Sequence, residues 1–213
     1  SVGLASQFKQ AVLDWKAEKV VLSTSSNNII SASQITSDDL SNIHIENGSE
    51  LSLFSTSMRK SKSERDNIAI IALPDKSKIM PEVLEGKKFT DNHLEMIISK
   101  KLANQGYKIG QEVSVGNNNI KIKIVGISKS SSYSASPVIY TSFSALNQIK
   151  FGEKSTSTSS VNAVVVKSGK VKIDSSISNQ YKVLSISDLI NDIPGYSAQN
   201  MTLSAMTVSY THL

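Results

Sequence analysis

His44, His93 and His212 are the first residues to test for chemistry, because an imidazole titrates near neutrality and serves as a general base or metal ligand. All three are isolated, with no H-E-x-x-H pair and no neighbouring run of carboxylates. The chain has no cysteine, which excludes disulfides and thiolate metal sites. Gly195, Tyr196, Ser197, Ala198 and Gln199 begin like the sharp turn that exposes a nucleophilic serine. Gln199 stands where the second glycine belongs, and no strand runs directly into the turn. There is no G-x-x-x-x-G-K-[ST] phosphate cradle, so this chain does not hydrolyse ATP by that route. No catalytic residue and no metal ligand is predicted. A Ser/His/Asp triad assembled by folding stays open as a hydrolase alternative. Asn47 and Asn200 each open an N-x-[ST] pattern, which a Ser/Thr-rich chain produces by chance.

The elements that would position any site follow from apolar spacing. Strands are predicted at residues 19–24, 28–32, 51–53 and 67–73, with Thr36 capping a short helix whose first turn carries Asp38 and Asp39. Residues 59–66 read as a turn, and Pro74 and Pro81 bracket a break. A strand at 95–98 then leads through Ser99, a plausible cap, into a helix at 100–104 that Gly106 would end. The strands 112–115 and 120–127 flank a hairpin at 116–119, and the second alternates Ile and Lys as a sheet with one wet face requires. Ser-rich residues 128–136 read as a mobile loop, followed by a strand at 138–141. A helix at 143–150, a connector at 152–160, a strand at 161–167, a helix at 173–179 and a strand at 182–186 complete the body. The reading is α+β: two strand–helix–strand units with a small β-rich unit inserted between them.

The two ends are amphipathic. Leu4, Phe8, Ala11, Val12 and Trp15 share one helix face near the start, and Leu189, Ile193, Tyr196 and Leu203 repeat that period over 188–206, with Met201 and Met206 alongside. Neither helix has an evident partner in the sequence. Pro194 and Gly195 interrupt the second one, where a kink, or the first turn of a helix, belongs. A body held between two such helices is what remains of a domain that sits between two membrane spans. No stretch of about 18 apolar residues and no basic-then-apolar signal peptide lies within this sequence, so a segment responsible for export would lie outside it.

Charge narrows the partners. The net charge is +5, but the lysines are scattered and only 6% of residues are aromatic, which argues against a nucleic-acid surface. Solvated lysines are the plain explanation, and attraction to anionic lipid or cell wall is the other.

Residues 95–127, EMIISKKLANQGYKIGQEVSVGNNNIKIKIVGI, together with the closing DLINDIPGYSAQNMTLSAM and the early GLA, resemble the FtsX-like, MacB-type permeases of ABC transporters. Within that family the IPGYSAQ segment is most similar to haem-exporter permeases of Gram-positive bacteria. The resemblance implies an extracellular domain lying between the first and second of four membrane spans, in a homodimer served by separate ATPase subunits. It implies a porter-like body at 18–80 and 143–187, an inserted α/β subdomain at 81–142, and stalk helices at 1–17 and 188–213. It also implies mechanotransmission: ATP is hydrolysed on the partner subunit, and its closure travels through the stalks, with haem as the expected substrate. No cofactor is expected in the domain itself. Tyr196, Met201 and Met206 would then line a substrate groove or a stalk interface, and Pro194 and Gly195 would form a hinge. His93, in a polar turn, reads as a solvated histidine before it reads as a haem ligand. Export of antimicrobial peptides or lipoproteins is the alternative cargo, and a secreted cell-surface binding module is the alternative class. No segment for docking a periplasmic adaptor is evident. The tail from Ser209 to Leu213 fits neither stalk nor span and reads as a remnant appended to the native sequence.

Overall fold

The computed structural model describes residues 6–155 and 160–196. Strands dominate: β1 (Lys19–Ser23), β2 (Ile35–Thr36), β3 (Ile43–Arg59), β4 (Arg65–Ala72), β5 (Val83–Gly86), β6 (Glu95–Ser99), β7 (Glu112–Val115), β8 (Ile120–Ser128), β9 (Ser132–Tyr133), β10 (Ser136–Thr141), β11 (Ser160–Val161), β12 (Ala163–Ile173) and β13 (Tyr181–Ser185). The helices are short: α1 (Ser6–Asp14), α2 (Ser37–Leu40), α3 (Lys100–Asn104), α4 (Phe143–Phe151) and α5 (Ile186–Asn191). None of the described helices is long and apolar enough to cross a membrane.

One mixed sheet runs through the body in the order β13-β1-β12-β3-β4-β10-β6-β8-β5, with β7 joining β3 to β8, and β9 beside β10. The β4–β10 and β6–β8 pairs are parallel, and the other pairs in this order are antiparallel. Strand β3 holds the sheet together, because its first half pairs with β12 and its second half with β4. The ladder passes without a break from the expected body into the expected insert, where Val138–Thr141 lie beside Ala69–Ala72 in register.

Continuous apolar runs mark strands buried on both faces. Ala69 and Ile71 of β4 face one core, while Ile68, Ile70 and Ala72 face another. Strand β10 does the same with Val138 and Tyr140 against Ile139. In β12, Ala163 and Val165 share the first core, and Val164 and Val166 face a third. The hairpin β7–β8 with α3 and α4 covers the second core, and the segments around Ile35 and Ile177 cover the third. The first core is covered by the chain ends themselves: Ala11, Val12 and Trp15 of the α1 segment, and Leu189, Ile190 and Ile193 of the α5 segment.

Thr36 caps α2 by accepting from the Asp39 N–H at 3.2 Å, and Ser142 caps α4 by accepting from Ala145 at 3.1 Å. The predicted strand 28–32 is instead a single 3-10 turn at Ile30–Ala32, because Asn27 and Asn28 sit at φ 53° and 64°, outside the extended region. The predicted helix at 173–179 does not form. Ile173 ends β12, and the rest is a chain of i→i+3 turns in which Ser178 Oγ donates to the Ser175 carbonyl at 3.2 Å. The Ser178 hydroxyl takes there a carbonyl that a helix would use. That end of the body is therefore strand–turn–strand. Ser99 occupies the N-cap position of α3, yet its hydroxyl donates to the carbonyls of Ser131 and Val138 instead.

Candidate functional site at the two chain ends

The two ends differ most from their expected form. Val12 and Trp15, expected to face a partner helix, are buried at 0% and 3% exposure against the chain's own sheet. The second helix is expected over 188–206, but α5 stops at Asn191. The helix breaks over 192–195, where Gly195 takes φ 85°, and Tyr196 is helical again. That left-handed value is open to glycine and costly for other residues, so Pro194 and Gly195 lie in a break between α5 and the helical Tyr196. Tyr196 packs half-buried against the first core, and the Lys9 ammonium lies 5.5 Å from its ring centre. Leu4, the Phe8 side chain, Ser197, Gln199, Asn200, Met201, Leu203, Met206, His212 and the tail fall outside the described residues.

The two ends lie side by side, and the segment read as a mobile loop joins them. Tyr133 is buried in the first core, and residues 132–133 pair with 136–137 as β9 against β10. Ser131 Oγ donates to the Asp14 carboxylate at 2.8 Å. Ser132 Oγ and the Ala135 N–H both donate to the Gln7 carbonyl, at 2.8 and 3.1 Å. Ser134 Oγ donates to the Pro194 carbonyl at 2.9 Å. Burial raises the phenol pKa values of Tyr133 and Tyr140 well above the ordinary tyrosine range, so both stay neutral donors. A cavity of about 190 Å³ opens beside them between Asp14, Trp15, Ile79, Glu82, Ser128 and Tyr140. Among the described residues the Trp15 indole N–H meets no acceptor. Serine abundance was the only sequence signal for this cluster, and it reads equally well as a linker.

The remaining candidates stay apart. His44 Nε2 lies 3.1 Å from Asp174, exposed near the start of β3, and no serine hydroxyl in the described residues hydrogen-bonds to that ring. His93 Nδ1 lies 3.0 Å from the Asp91 carbonyl in an exposed turn. Asn47 lies within β3 with its side-chain amide on Ser168 Oγ at 3.0 Å, and Ser49 of the same N-x-[ST] pattern is buried. A cleft of about 320 Å³ that sequence reasoning did not anticipate lies between α4 and the β2–β11 ribbon, lined by Leu40, Glu50, Phe143, Leu146, Lys150 and Phe151.

No protein-family model matches the sequence. Solved structures match its fold. The extracellular domain of the noncanonical ABC-type transporter YknZ from Gram-positive bacteria superposes with a TM-score of 0.53 at 18% identity, over 78% of this chain and 99% of that one. The periplasmic region of MacB from Actinobacillus actinomycetemcomitans gives a TM-score of 0.53 at 10% identity, over 85% of this chain and 95% of that one. The α+β fold is thus shared with extracytoplasmic domains of ABC-type transporters.

Proposed function

We propose that the chain is the extracytoplasmic domain of an FtsX-like, MacB-type ABC export permease, not catalytic itself, and anchored to the membrane through both of its ends. The observation that carries this reading is the juxtaposition of the termini: Lys9 against Tyr196, with Ser134 holding the Pro194 carbonyl. Two segments that enter one bilayer must start close together on the body, and the adjacency of Lys9 and Tyr196 supports that. The shared fold supports the same reading.

In this reading ATP is hydrolysed by a separate ATPase subunit, the permease works as a homodimer, and subunit closure reaches the domain through its ends. Haem is the substrate we favour, from the resemblance of the IPGYSAQ segment. Tyr196, Met201 and Met206 would form the apolar wall nearest the membrane, and Pro194 and Gly195 the pivot between body and membrane helix. Gly195 at φ 85° supports a pivot, since it frees the direction of α5 from that of the adjoining membrane segment.

The test uses the full-length permease with its ATPase in a haem-sensitive strain. Wild-type complex should restore growth on haem and lower cellular haem. Pro194→Ala with Gly195→Ala should reduce that efflux while the domain keeps its melting temperature within a few degrees. Protection by wild type and variant alike would end the pivot. No protection by wild type, with export of a peptide or lipoprotein reporter instead, would replace haem as the substrate.

A further inference from the structure

We propose that residues 131–135 form a yoke that ties both chain ends to the middle of the sheet and carries force between them. The inference rests on the permease reading above and assigns its relay to named contacts.

The yoke reaches each end independently. Toward the N-terminal helix it makes three bonds: Ser131 to the Asp14 carboxylate, and Ser132 and Ala135 to the Gln7 carbonyl. These lie at opposite ends of α1, two turns apart, so the helix is held along its length rather than at a point. Toward the C-terminal segment it makes one bond, Ser134 to the Pro194 carbonyl. That bond falls beside Gly195, where the backbone can turn most freely. On its inner side the yoke is fixed. Tyr133 is buried in the first core, and the Ser131 carbonyl accepts from the Val138 N–H at 3.0 Å and from Ser99 Oγ at 3.2 Å. Strand β10, which it joins, lies between β4 and β6 near the centre of the sheet.

The chemistry suits a relay. A serine hydroxyl on a one-carbon stem has little freedom, so a bond from it to a main-chain carbonyl transmits a displacement instead of absorbing it in a long side chain. The acceptors on Gln7 and Pro194 are backbone atoms, so the yoke grips the chain path itself. Ser134 and Ala135 hold φ 48° and 69°, two successive non-glycine residues in the left-handed region. They are the two loop residues of the β9–β10 hairpin, whose tight turn demands positive φ at both positions, and their bonds to Gln7 and Pro194 tie that turn to the two ends.

The test is amide hydrogen exchange on the full-length permease–ATPase complex, with and without vanadate-trapped nucleotide. In wild type, trapping should change exchange in α1, in α5 and in β10. In Ser132→Ala with Ser134→Ala, the change at the ends should persist while the change at β10 falls at least threefold. Ser132→Thr, which keeps a hydroxyl, should behave as wild type. Unaltered melting of the double variant shows that the body is intact. A β10 response equal to wild type in the double variant overturns the yoke and leaves the permease reading standing. A response confined to the ends in wild type does the same. No nucleotide-dependent change anywhere in the domain ends the permease reading, and the yoke with it.

Discussion

Ala135 sits at φ 69°, a conformation its β-carbon makes costly and glycine adopts freely. Ala135→Gly should therefore raise stability by about 0.5–1 kcal/mol in urea denaturation, and a loss of that size would show the strain to be absent. Trp15 is the only tryptophan and is buried at 3% exposure, and among the described residues its indole N–H has no acceptor. Trp15→Phe removes the orphaned donor and should cost less than about 1 kcal/mol, whereas Trp15→Ala should cost about 3–5 kcal/mol by leaving a cavity. Equal losses would mean that the indole N–H has a partner. Burial pushes the Tyr181 phenol up to about 12, helped by its hydrogen bond to the Asp39 carboxylate. The unfolded phenol ionises from about pH 10, so this tyrosine stabilises the fold below that pH, and its contribution is lost between about pH 10 and 12. Tyr181→Phe should flatten the fall in melting temperature over that window; an unchanged profile would remove the Asp39 contact from the account. At this scale the sequence was legible where a residue acts alone, as with the capping hydroxyl of Thr36. It was mute where a role depends on a distant partner, as for Ser134 and Pro194, which are 60 residues apart.

Among the elements, strand β8 was readable because Ile and Lys alternate with the pleat, and its lysines face water. The hairpin before it was readable because Gly116 and Asn119 accept positive φ, here 75° and 52°. What local signals could not reveal is that Gly116 also lies against α4, where an added β-carbon would come within 2.9 Å of Ile149 Cγ2. Gly116→Ala should therefore cost about 1–3 kcal/mol in chemical denaturation, from strained φ with added crowding. A neutral result would show that the hairpin shifts freely against α4. The false helix at 173–179 and the false loop at 128–136 share a cause. Both are Ser-rich, and serine serves turns, caps and clamps alike, so only the acceptor reached decides among them.

For the molecule as a whole, the prediction concerns sidedness. In intact cells a membrane-impermeant amine reagent should label the exposed Lys121 and Lys123 of β8 in the full-length protein. Labelling only after lysis would put the domain on the wrong side of the membrane for the proposed role.

Alternation and apolar runs by themselves located β1, β4, β6, β7, β8, β10, β12 and β13, because side-chain period follows directly from backbone geometry. The amphipathic ends were equally plain, since a stripe at helical spacing must be covered by something. What covers it was decided only in three dimensions. Val12, Trp15, Leu189 and Ile193 share the first core with β1, β3, β4 and β10. An apolar face has no address: burial lowers the free energy of any partner that excludes water, and the chain's own sheet was the nearest one available.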